Sequence, residues 1–159
     1  MSMINLEKSQ AHQIGNIDNV VHSATLQNGY VVNLGAKAGD DWYAVSVPAT
    51  ATLATEEVLF IFNDETMYEE GKAITDYSIP AGTLARAYHP TVGDELLIDA
   101  TLITGAPAKG KFLIPANGVM TLAVSDTLGS TRFSAKIVDD VTTIGYNDTA
   151  AYRALVVKA

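Results

Sequence analysis

The chain has 159 residues, 48% of them hydrophobic and 18% charged, with a formal net charge of -8 and no cysteine. That length and balance suit one domain with its own core and exclude a disordered tail protein. The acidity disfavours non-specific nucleic-acid binding, the lack of an apolar stretch of ~18 residues argues against a membrane-spanning helix, and the lack of cysteine removes disulfides, thiolate nucleophiles and cysteine-ligated zinc.

Residues 1–18 are polar and amide-rich, with Asn5, Gln10, His12, Gln13 and Asn16, and read as an extended arm ahead of a single β-rich domain over 19–159. Glu7 and Lys8 stand where a secretory signal peptide would place apolar residues. Residues 20–26 form the first strand-like run. Asn28-Gly29 follows, a dipeptide suited to a tight hairpin because both residues tolerate positive φ, with 30–34 as the expected return strand. Residues 42–47 alternate, with Tyr43, Val45 and Val47 on one face and Trp42, Ala44 and Ser46 on the other, until Pro48 ends the ladder. The run 58–62 is apolar throughout and reads as a strand buried on both faces.

Residues 66–73 suit two turns of helix capped by Asp64 or Thr66, the one helix candidate in the chain. Strand-like runs then recur at 84–89, 95–99 and 111–114. Asn117-Gly118 repeats the hairpin signal before 119–124, and 152–157 closes the chain. In 132–138, Phe133, Ala135 and Ile137 alternate with Arg132, Ser134 and Lys136, which puts the first three in the core. The expectation is an all-β fold, a β-sandwich or β-barrel of about ten short strands with at most one short helix. If the domain divides into sub-lobes, the boundary falls near 105–110.

The segment Gly105-Ala106-Pro107-Ala108-Lys109-Gly110-Lys111 matches the first seven positions of a phosphate-binding P-loop. Phe112 then replaces the magnesium-binding Ser or Thr, and a strand-like run replaces the required helix, so the segment reads as a loop between strands. His12, His22 and His89 lack metal-ligand spacing, and His89 before Pro90 reads as a strand end. The neighbouring acids Asp40-Asp41, Glu56-Glu57, Asp94-Glu95 and Asp139-Asp140 point to opposite faces if they lie on strands. No catalytic set, cofactor site or metal site emerges, although two distant carboxylates of a glycosidase would leave no local mark. Trp42 and Tyr43 suit either a sugar-stacking platform or a core or interface anchor. Acids gather over 56–76 and bases over 101–136, which suits either two solvated faces or opposite surfaces that meet neighbouring subunits.

The order of segments adds a further reading. Gln27-Asn28-Gly29-Tyr30-Val31-Val32-Asn33-Leu34-Gly35 is followed by an aromatic strand ending at Pro48. Residues 58–62 come next, with Glu65-Thr66-Met67-Tyr68-Glu69 behind them. Asp76-Tyr77, Ala81-Gly82, Ala85-Arg86-Ala87-Tyr88, Gly93-Asp94, Ala116-Asn117-Gly118 and Arg132-Phe133-Ser134-Ala135-Lys136-Ile137 follow, before a Val-rich final strand. Over most of its length this order resembles the capsid decoration (cement, head-stabilising) proteins of tailed bacteriophages.

The resemblance implies a non-enzymatic virion protein, made in the bacterial cytoplasm, that binds the exterior of the expanded capsid and stabilises it. Its partners would be the major capsid protein and copies of itself, with a trimer favoured, and no nucleic acid, membrane or cofactor is involved. Trp42, Tyr43, Met67 and Tyr68 are the candidate interface residues. Some such proteins use an N-terminal arm to add a strand to the shell. Two other classes compete: another virion module such as a head fibre or baseplate component, and a carbohydrate-binding β-sandwich using Trp42 and Tyr43. A hydrolase with dispersed acids is a further alternative.

Overall fold

Val58, Leu59, Phe60 and Ile61 offer solvent no polar side chain, and in the computed structural model all four are at most 1% exposed. The structure describes residues 4–8, 17–64, 77–144 and 149–159, with the backbone alone in 4–8 and 141–144. The helix expected over 66–73 lies outside the described residues. The four buried residues form β5 (Val58–Ile61), which is shared between two cores. Val58 and Phe60 face one core; Leu59 and Ile61 face the other. The same split occurs in β3 (Val31–Lys37), where Val31 belongs to the first core and Val32 to the second. Period-two alternation of side chains makes this double duty available to any strand without a polar face.

The second core fills a closed barrel of five strands. Its members are β2 (Ile17–Val21), β4 (Tyr43–Ser46), β3, β5 and β6 (Ala85–Tyr88), in that order around the barrel. Strand β2 closes it, pairing antiparallel with β6 from Ile17↔Tyr88 to Val20↔Ala85 and parallel with β4 at Val20↔Tyr43 and Val21↔Ala44. Val20, Val32, Val45, Leu59, Ile61 and Ala87 supply the interior, with Leu26 and Ile79 bridged to each other outside the named strands. Alanines at 85 and 87 leave room for the larger side chains opposite, the mixture of sizes that a narrow barrel requires.

The remaining strands form one sheet. They are β1 (Ile4–Lys8), β7 (Glu95–Asp99), β8 (Ile103–Thr104), β9 (Phe112–Pro115), β10 (Leu122–Ser125), β11 (Ser134–Ile144) and β12 (Thr149–Lys158), in the order β1-β7-β12-β11-β9-β10-β8. All pairs are antiparallel except β10 with β8. The first core lies where one face of this sheet meets the outer wall of β3 and β5. Leu96, Ile98, Leu113, Ile137 and Val156 from the sheet, with Phe133 directly before β11, pack with Val31, Val58 and Phe60 from the barrel. At its centre Phe60 and Phe133 meet edge to face, centroids 5.4 Å apart at 67°, a geometry that the ring quadrupoles favour. Backbone bonds reinforce the junction: Val31 N–H donates to Met120, Gly118 N–H to Pro48 and Arg132 N–H to Leu53.

The all-β expectation holds, with one 3-10 turn at Ala100–Leu102 the only helical element among the described residues. Barrel and packed sheet both occur, joined along a shared wall. Several strands fall near their expected places: β7 matches 95–99, and Phe133, Ala135 and Ile137 are fully buried. The expected arm over 1–18 contains β1 and the first two residues of β2. Strands β8 and β9 flank 105–110 and belong to the same sheet, and the chain passes from barrel to sheet between Tyr88 and Glu95.

The hairpin expected at Asn28-Gly29 does not form. Strand β3 pairs with β4 and β5, and β2 is turned away to close the barrel against β6. The dipeptide instead sets the start of β3 beside β5. Gly29, at φ 87, donates its N–H to Ile61, while Asn28, 2% exposed, bonds the backbone of Asn63 in both directions. At Asn117-Gly118 the chain does turn back to join β9 to β10, with Gly118 at φ 74, but through the longer connection 116–121 that sets Pro115 opposite Leu122 rather than through a tight hairpin.

Candidate functional site

One place where charged side chains from three distant parts of the chain converge lies at the open end of the β2–β6 seam. Three elements contribute one side chain each. Asp18 is the second residue of β2, Glu57 directly precedes β5, and His89 directly follows β6. Because β6 lies between β2 and β5 in the barrel, the chain leaving β6 passes between the other two. The imidazole is bonded on both sides: Nδ1 is 2.9 Å from Glu57 Oε1 and Nε2 is 2.8 Å from Asp18 Oδ2. The ring is only 17% exposed, against 27% for the Asp18 side chain and 34% for Glu57.

Burial pulls the His89 pKa down, but hydrogen bonds and charge from Glu57 and Asp18 act the other way and leave it raised above the ordinary 6.5. The two carboxylates approach opposite nitrogens, so the three residues cannot converge on one metal ion. No group suited to holding a metal occurs among the described residues. Asp18 also borders a shallow depression with Ile17, Asn19, Lys37, Asp40, Asp41 and Tyr43.

Of the candidate interface residues, Met67 and Tyr68 lie outside the described residues. Trp42 and Tyr43 are both half-buried and serve different neighbours. Tyr43 packs against the barrel core. Trp42 lies over Gly39, where an added Cβ would overlap its indole ring, and its carbonyl accepts the N–H groups of Ala38 and Gly39. As neighbours on an extended segment they alternate, so they do not form a joint stacking surface.

His12 lies outside the described residues, and several of the other singled-out motifs have a local explanation. Strand β9 follows the 105–111 loop, where a P-loop would have a helix, and its lysines face carboxylates: Lys109 lies 3.9 Å from Asp139 and Lys111 lies 3.2 Å from Asp126. Buried Asp94 accepts the N–H of Thr91 and shapes the turn before β7. Asp139 also lies 3.9 Å from Arg153. His22 bonds its own neighbour, Ala24.

The Asp18–His89–Glu57 arrangement had no sequence signal, because its members are separated by 71 and 32 residues. Only the strand order makes them neighbours. Comparison with protein-family models, with curated proteins and with solved structures finds no match to this chain. Among the described residues no helix is long and apolar enough to cross a membrane.

Proposed function

We propose that this chain is a structural virion protein that binds the outside of an expanded phage capsid and stabilises it, contacting the major capsid protein and other copies of itself. The order of sequence segments from Gln27 to the final Val-rich strand supports the reading. So does the build of the molecule: a barrel with its own core, joined to a sheet through a second core along a shared wall, suits a protein that must brace a shell under outward pressure from packed DNA. Stabilisation needs no catalytic group. A protein that binds only the expanded shell stabilises that form by mass action.

The observation that carries the proposal furthest is the position of β1. Among the described residues this strand from the polar arm is the outermost member of the seven-stranded sheet, paired to β7 on one side. A strand at a sheet edge presents backbone donors and acceptors to a further strand, and proteins add strands to one another in this way. On this reading β1 is the edge through which the sheet continues into the shell.

Deleting residues 1–8 removes β1 and none of the described core residues. The truncated chain is expected to melt cooperatively and to bind expanded capsids at least about tenfold more weakly, a loss of ~1.4 kcal/mol. Capsid-binding isotherms of the two chains, with circular-dichroism melts as the folding control, give the comparison. Equal affinities from two well-folded chains would remove β1 from the interface.

A further inference from the structure

We infer that His89 is a protonation-controlled clasp that holds the start of β2 against the barrel. The inference concerns a conformational device of the isolated chain and does not depend on the capsid reading.

Both ring nitrogens lie within hydrogen-bond distance of a carboxylate oxygen. A carboxylate can only accept, and a neutral imidazole has one N–H and one lone pair. Only the imidazolium can donate to Asp18 and Glu57 together. Loss of its proton leaves one carboxylate facing a lone pair and removes the charge that offsets two acids on either side of a largely buried ring. The pair then repels at the place where β2 begins.

Strand β2 has little apolar burial with which to absorb that loss, since Val20 is its one buried residue. It touches β4 at two residue pairs and β6 at four, all within Ile17–Val21. Its apolar anchor, Val20, sits near the far end, whereas Ile17 is 41% exposed. Glu57 is a firm partner, since its carbonyl accepts a bond from buried Asn33 and it leads into fully buried β5. The clasp therefore opens on the β2 side, at Asp18.

The charged groups around it share the work unequally. Asp18 and Glu57 are in contact with the ring. Lys37, Asp40 and Asp41 line the depression that Asp18 borders, and Glu56 is exposed beside Glu57 in sequence. Acids outnumber bases here, so the surroundings favour the protonated ring. A histidine whose folded pKa is raised contributes stability that is complete below its unfolded value and is lost as pH rises through the folded value. The clasp is thus closed at mildly acidic pH and opens on the alkaline side of 6.5.

The test is an NMR pH titration of the full chain, following the His89 ring and the backbone amides of residues 17–20, with Val32 and Leu59 as barrel controls. The ring and the β2 amides are expected to titrate with one shared midpoint above 6.5, while the controls stay still. Asp18→Asn should lower the ring midpoint, and His89→Gln should abolish the β2 transition. If His89→Gln does not fold, Asp18→Asn carries the test alone. A ring midpoint at or below 6.5, amides of β2 that ignore the ring titration, or an unchanged midpoint in Asp18→Asn would overturn the clasp.

Discussion

Phe133→Asp is expected to abolish cooperative folding. Phe133 is fully buried in the core between the sheet and the barrel wall, and its ring packs edge to face on Phe60. Truncation of such a ring alone costs about 3–5 kcal/mol. An aspartate adds a charge with no partner, which costs several kcal/mol more or forces the carboxyl to take up a proton. The sum reaches the whole stability of an ordinary domain, about 5–15 kcal/mol. Phe133→Leu keeps most of the apolar volume and should fold with a lowered melting point, which separates loss of packing from loss of the chain. Melting followed by near-ultraviolet circular dichroism reads both variants. A soluble Phe133→Asp protein with a sharp melt close to that of the parent would mean that this core is not where the two parts of the molecule are held together.

Asn28→Ala is expected to cost about 2–4 kcal/mol, because each buried polar group left unpaired costs about 1–3 kcal/mol. The Asn28 side-chain amide donates to the Asn63 carbonyl at 2.8 Å, and its oxygen accepts the Asn63 N–H at 2.8 Å. Asn63 in turn accepts the Arg86 N–H through its own side chain. The network thus fixes the end of β5 against β6 and the start of β3. Asn117→Ala serves as the control. Asn117 has the same Gly neighbour, is exposed, and accepts one bond from the Thr50 N–H, so its loss should stay within about 1 kcal/mol. Chemical denaturation of the two variants makes the comparison directly. Equal losses would show that Asn28 does not carry the structural role assigned to it.

The contrast between these two dipeptides shows what the sequence can and cannot reveal. Asn28-Gly29 and Asn117-Gly118 carry the same local signal, and local preference correctly marks both as places where the chain turns. Which strand then pairs with which is decided by long-range packing. At 117–118 the flanking strands meet, while at 28–29 barrel closure sends β2 to β6 and β3 to β5. Burial was legible where alternation was strong, as in Phe133, Ala135 and Ile137, and where it was absent, as in 58–61. That β5 and β3 each serve two cores was not, since the identity of the layers on either side of a strand is not encoded in its own residues. Strand β1 carries no clear sequence signal, because an edge strand needs no apolar face and the polar, amide-rich residues around it suit a loop equally well. The His89 clasp joins residues that only the barrel order brings together. Trp42 and Tyr43 were separable in advance by their alternation, and the structure assigns Tyr43 to the barrel core and Trp42 to Gly39.

The measurement that bears most directly on the proposed role is a co-sedimentation titration of the full chain against tailed-phage capsids, with unexpanded and expanded shells compared side by side. The account predicts saturable binding to the expanded shell alone, at a copy number commensurate with the symmetry of the shell. Binding to neither form, or equal binding to both, would contradict it.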